Sequence, residues 1–144
     1  MNVTLYDIAA RFIGTSEVPG SVSNPAILAM LRLDAGWPDG DEVPWCSAAL
    51  NWWCWLLRLP RSKSLMARSW LDVGTPIKLE EAFPGFDVVV LWREREESVS
   101  GHVGLYAGFE RGKVLLLAGN QNNMVNISGH DPARVLGVRR LPDR

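Results

Sequence analysis

From Cys46 to about Leu59 the chain is apolar on nearly every side, and a helix of that composition has to be buried all round. Asn51 is a rare polar interruption, and Pro60 ends the run. A fold built on this chain must therefore wrap one helix with other elements. Pro44 suits the entry turn, which puts Cys46 at or just before the first helical turn. Unpaired N–H groups and the positive end of the helix dipole favour a thiolate there, the reactive form of a cysteine. The same cysteine could equally be a small buried hydrophobe.

The wrapping elements are legible on both sides. Leu5, Ile8, Ala9, Phe12 and Ile13 repeat at helical spacing up to Gly14. After a loop from Thr15 to Ser23, Asn24-Pro25 reads as cap and first position of a second helix, with Ile27, Leu28 and Leu31 on its apolar face. The loop Asp34 to Pro44 leads to the cysteine helix, and Ser64 to Val73 predicts a shorter one closed by Gly74. From Pro76 the character changes. Asp87 to Trp92 is β-branched and continuous enough to be a central strand, and Arg93 to Ser100 is a charged, exposed hairpin loop. Gly101 to Phe109 and Lys113 to Ala118 flank the turn Glu110-Arg111-Gly112, with further strands near Val125 to Ile127 and Val135 to Leu141. Helices first and antiparallel strands second define an α+β fold, N-terminal helices packed on a central antiparallel sheet. The 144 residues read as one domain, 1–144, without repeats or a linker.

Composition removes several classes of function. Fifteen Lys plus Arg against sixteen Asp plus Glu leave a net charge of -1, with no global attraction to nucleic acid or anionic lipid. The longest apolar stretch is too short to span a bilayer, so no stable membrane insertion is expected. No basic start followed by an apolar run marks a signal peptide. Cys46 and Cys54 sit eight positions apart, roughly 12 Å along one helix, too far for a disulfide. Two thiols without a clustered histidine pair make no zinc site, and no metal is expected. Five of the seven Trp (Trp37, Trp45, Trp52, Trp53, Trp55) crowd in or beside the cysteine helix, as packing or as the wall of a cleft.

With two histidines in the chain, the search for a base is short. His130, in the turn Ser128 to Pro132, is expected at the surface. His102 opens the strand Gly101 to Tyr106 between two glycines, which permit close approach of backbone or substrate. A helix-start cysteine joined by a strand-borne histidine is the pairing that nucleophilic thiol catalysis needs. A third polar group would fix the imidazole, and hairpin geometry brings Asn120 or Gln121 beside His102. Period-2 alternation groups Leu116, Ala118 and Asn120 on one face, so Asn120 is the expected orienting residue.

Pro44-Trp45-Cys46-Ser47-Ala48-Ala49-Leu50-Asn51-Trp52, Ala67-Arg68-Ser69-Trp70-Leu71, Gly101-His102-Val103-Gly104-Leu105-Tyr106 and Gly119-Asn120-Gln121, in that order, resemble the NlpC-like and CHAP-like papain-fold cysteine hydrolases. The likeness is greatest to a small branch of single-domain phage endolysins and related bacterial proteins, and it takes in Asn24-Pro25 and Gly137-Val138-Arg139. It implies a papain-like fold with Cys46 as nucleophile, His102 as base and Asn120 or Gln121 as the third member. Trp45, Ser47 and Trp70 would line the cleft together with Gln121. The substrate implied is peptidoglycan, attacked at an amide within the stem peptide or at its link to the sugar, without metal or organic cofactor. Many relatives carry Asp where Trp45 stands, and an acid or His where this chain has an amide; an amide orients imidazole without adding charge.

The expectation is thus a monomeric peptidoglycan hydrolase made in the (host) cytoplasm and acting on the wall in the periplasm, as a lysis protein or an injected toxin. Two other classes stand against it. One is a non-catalytic Trp-rich module that binds wall or partner, with Cys46 as packing. The other is an acyltransferase, in which an amine and not water resolves the thiol acyl-enzyme.

Overall fold

A computed structural model of the chain describes residues 2–18, 23–34 and 44–142. Most of the expected loop from Asp34 to Pro44, Trp37 included, and the Pro19-Gly20 turn lie outside the described residues.

Among the described residues, three α-helices precede a six-stranded antiparallel sheet. Helix α1 (Leu5–Ala10) starts on a capping box in which Thr4 and Asp7 satisfy each other's backbone N–H. It stops short of the expected Ile13, and Gly14, with φ +97°, passes its N–H to the Val125 carbonyl. Helix α2 (Pro25–Leu31) begins as expected, with the Asn24 side chain accepting from the Ala26 N–H. Helix α3 (Cys46–Leu56) ends before Leu59: Arg58 turns left-handed at φ 58°, and Leu59, preceding a proline, is disfavoured in helical geometry. The expected helix Ser64 to Val73 is shorter and tighter, a 3₁₀ turn over Ala67–Asp72.

The strands are β1 (Thr75–Ile77), β2 (Asp87–Trp92), β3 (Gly101–Glu110), β4 (Lys113–Gln121), β5 (Met124–His130) and β6 (Val135–Arg140), in the sheet order β1-β6-β2-β3-β4-β5. β1 was not expected; three residues with a proline among them form a strand only at an edge. β2 is central and buried along Asp87 to Leu91 because both faces of the sheet are covered, which explains its unbroken apolar run. Val88, Val90, Val103, Leu105 and Leu117 join the core of the three helices. Val89, Leu91, Val114, Leu116 and Val138 form a second cluster on the opposite face. The β3–β4 and β4–β5 turns run through Arg111-Gly112 and Asn122-Asn123, all four residues with positive φ, as two-residue hairpins matched to strand twist require.

Helix α3 meets β4 where Gly119 has no side chain. A Cβ there would lie 2.6 Å from the Trp45 ring and 2.9 Å from the Ala49 Cβ. Gly119→Ala is therefore expected to cost about 1–3 kcal/mol through overpacking, read as a lower urea midpoint with altered tryptophan fluorescence.

Candidate active site

The first turn of α3 has no side-chain cap: Trp45 at the N-cap makes no capping hydrogen bond, so the helix N–H groups keep their donor capacity. The backbone N–H groups of Ser47 and of Cys46 itself act on the Cys46 sulfur in the sense that favours its thiolate. The N–H of Val103 on β3 acts on it in the same sense. That donor is available because the β3–β4 ladder begins only at Leu105, paired with Leu117, so the first residues of β3 have no β4 partner. The nucleophile candidate thus rests on the open margin of β3, one residue from His102. The glycines around His102 serve close packing of the protein on itself: a Cβ on Gly101 would lie 2.8 Å from the Leu91 carbonyl oxygen, and one on Gly104 2.6 Å from the Ala118 Cβ.

His102 is 7 % exposed, and its Nε2 lies 3.0 Å from the Gln121 side-chain oxygen. The structure therefore puts Gln121, and not Asn120, against the imidazole. The reason is a bulge. Ala118 pairs with Asn126 and Gln121 with Met124, so β4 spends three steps where β5 spends two. Asn120, left-handed at φ 58°, is part of that irregularity, and Gln121 takes the face that uninterrupted alternation assigns to Asn120. The Gln121 amide is fixed by its nitrogen, which donates to the Leu116 carbonyl (3.1 Å), the Asn126 carbonyl (2.8 Å) and the Asn126 side-chain oxygen (2.9 Å).

His130, expected at the surface, is half-buried in the same cluster. Its Nε2 is 2.8 Å from the same Gln121 oxygen, and its ring centroid is 5.2 Å from that of His102. It gets there as the last residue of β5, paired with Val114 of β4. The link from β5 to β6, with a 3₁₀ turn at Pro132–Arg134, crosses from the sheet edge to the far side of β2. The same link brings Arg134 onto Trp92, where its Nε donates to the backbone carbonyl at 3.0 Å and its guanidinium lies over the ring. At the end of β2, exposed Arg93 adds positive charge felt by both Cys46 and His102.

Three expected cleft residues are interior. Trp45 and Trp70 have no exposed surface, and neither does Ser47. Trp45 covers Gly119 and donates its indole N–H to Glu17 at 2.8 Å. Ser47 donates to the Ser64 carbonyl and accepts from the Trp70 indole at 2.9 Å, so both are occupied inside the fold. Each lies on the inward side of the first turns that carry Cys46 or pack on them, which is why adjacency in sequence misled. Arg68, in the same motif as Trp70, reaches the site indirectly: its guanidinium donates to the carbonyls of Ser100 and Glu96, both at 2.8 Å, tying down the loop before His102.

Burial governs the protonation of the pair. It pushes the Cys46 thiol up, against the pull of the Val103, Ser47 and Cys46 N–H groups and of Arg93. It pushes the His102 imidazole down to about 4, with Arg93 and Arg134 acting in the same sense and the Gln121 hydrogen bond opposing. His130 is also brought to about 4, by desolvation and then by the charges of His102 and Arg134. At neutral pH the pair rests as thiol and neutral imidazole, and not as the ion pair. Among the described residues no group of three or more His, Cys, Asp or Glu is placed to hold a metal ion, and no helix is long and apolar enough to cross a membrane.

No family model and no curated protein matches the chain. Solved structures do. NlpC1 from Trichomonas vaginalis superposes with a TM-score of 0.59 at 18 % identity, over 96 % of this chain and 44 % of that one. NlpC2 from the same organism gives a TM-score of 0.60 at 20 % identity, over 94 % of this chain and again 44 % of the other. The chain spans less than half the length of either protein. Its fold is the NlpC-like papain fold.

Both histidines are neutral when folded, with values lowered from about 6.5 to about 4, so the unfolded chain binds more protons between these limits. Their contribution to stability is complete above pH 6.5 and is lost as pH falls through 4. The urea midpoint is expected to drop between pH 7 and pH 4.5, and to drop less in the His102→Asn/His130→Asn variant.

Proposed function

We propose that the chain is a cysteine-dependent peptidoglycan hydrolase, with Cys46 as nucleophile, His102 as general base and acid, and Gln121 as the residue that positions His102. The observation that carries this reading is a junction. A thiol on the uncapped first turn of a buried helix lies where the Val103 N–H favours its thiolate, while the neighbouring His102 has one ring nitrogen held by a fixed amide. With Nε2 engaged by Gln121, Nδ1 is the nitrogen left for the thiol.

In the attack step the Cys46 S–H proton moves to His102 Nδ1 as the sulfur adds to the amide carbonyl carbon. The oxyanion is held by backbone N–H at the start of α3, that of Cys46 first. The C–N bond then breaks and the imidazolium returns its proton to the departing amine. Water, deprotonated by His102, attacks the thioester and restores the thiol. A neutral resting pair fits this order, because the charges form only as the bond does.

The substrate assignment rests on the family resemblance and on the NlpC-like fold: an amide in or next to the peptidoglycan stem peptide. On this reading the chain acts as one catalytic domain and as a monomer, without a cofactor. It is an endolysin-like, bacteriolytic activity, made in the cytoplasm and exerted on the wall in the periplasm.

Purified protein and its variants incubated with isolated sacculi test the proposal, with turbidity followed and fragments identified by mass spectrometry. Wild type should clear the sacculi, and Cys46→Ala and His102→Ala should each lose activity by about 10²–10⁴-fold or more. Gln121→Ala should lose on the order of ten-fold, whereas Asn120→Ala should stay within about two-fold. Binding without solubilisation, equal in wild type and Cys46→Ala, would replace the enzyme with a wall-binding module. Fragments released only when an amine is supplied would indicate acyl transfer.

A further inference from the structure

Gln121 offers one carbonyl oxygen to two imidazoles. The distances are 3.0 Å to His102 Nε2 and 2.8 Å to His130 Nε2. The orientation of the amide is not free, because its NH₂ faces three acceptors, two on Asn126 and one on Leu116. Turning it over would set an oxygen against those three and an NH₂ against both rings. Asn126 is fixed in turn: its own amide nitrogen donates to the Gln121 carbonyl at 2.9 Å, and its side-chain oxygen accepts from Ser128 at 2.7 Å. The shared oxygen can only accept, so each ring must present an N–H at Nε2. Both lone pairs of that oxygen are then occupied.

We infer that His130 is a positioning residue: by occupying the second lone pair of the Gln121 oxygen it excludes competing donors, keeping that oxygen on the Nε2–H tautomer of His102 and leaving Nδ1 bare. This rests on the reading of Cys46 and His102 as the reacting pair. Without the His130 donor, buried Gln121 keeps a free lone pair on the side that half-buried His130 had covered. Water can then compete for the oxygen, and His102 gains access to the other tautomer, in which its Nδ1 carries a proton and cannot take one from Cys46. His130 touches neither thiol nor substrate in this scheme. Its influence travels through a single oxygen atom.

The chain has two histidines, so any variant at position 130 leaves His102 as its sole imidazole signal. Long-range ¹H–¹⁵N spectra at pH 7 on uniformly labelled wild type, His130→Phe and His130→Gln read the tautomer directly. Phe keeps a ring of similar size without the donor; Gln keeps a donor. His102 should be a single Nε2–H form in wild type and His130→Gln, and a mixture of tautomers in His130→Phe. Hydrolysis of sacculi by His130→Phe should fall about ten-fold in kcat with KM within about two-fold, and His130→Gln should recover most of it. An unchanged Nε2–H signal in His130→Phe overturns the inference, whether or not activity falls, and urea midpoints verify that the variants fold. If wild type hydrolyses nothing yet the tautomer shifts in His130→Phe, the positioning role stands and the hydrolase reading falls.

Discussion

The first six residues of α3, Cys46 to Asn51, are all buried, and two of them are polar. Desolvated hydroxyl and amide groups without partners would be costly, so the surroundings of this helix are dictated by Ser47 and Asn51 as much as by its apolar side chains. Ser47 is met by the Ser64 carbonyl and the Trp70 indole. Asn51 donates to the Ser47 carbonyl and accepts the Lys63 N–H at 2.9 Å. The segment from 61 to 70 is thereby drawn along the helix, and Arg68 at its end grips the loop that delivers His102. Thiol and imidazole, far apart in the chain, are placed by one segment that is hydrogen-bonded to the helix and to the loop before His102.

Among the described residues, the polar side of the site is built without carboxylates. Gln121, Asn126 and Ser128 stand where an acidic residue would stabilise an imidazolium, and Arg93 and Arg134 act against one. Electrostatics therefore favour uncharged reactants, and orientation comes from neutral dipoles whose directions are mutually fixed. A site of this kind depends on geometry more than on stored charge. Loss of a single donor in the network alters direction before it alters potential.

Much of this was readable in the residues. Asn24-Pro25, the apolar helix after Pro44, the β-branched run Val88 to Leu91 and the Arg111-Gly112 turn each carry a local signal strong enough to define their element. Cys46 and His102 stood out because helix starts and glycine-flanked strand ends are chemically distinctive places. The exchange of Asn120 for Gln121 was not legible, since a one-residue bulge reverses every later side chain and leaves only a left-handed asparagine as its mark. His130 was misplaced because β5 runs on through the start of the expected turn, so that His130 pairs with Val114 of β4 and meets Gln121. Trp45, Ser47 and Trp70 show the converse error. Proximity to a reactive residue along the chain says little about which side of the helix or turn is wet.

The crossover from β5 to β6 also orders events in time. β2 gains its partner on one side from β3, through a hairpin, but on the other side only from β6, the last strand along the chain. Arg134 rides on the link that this docking pulls taut, while His130 precedes it at the end of β5. Long-range pairing of this kind forms late, because the loop it closes is long. A folding chain can thus set both imidazoles on the Gln121 amide within its hairpins before the far side of β2 is covered, so the polar network of the site does not wait for the sheet to close.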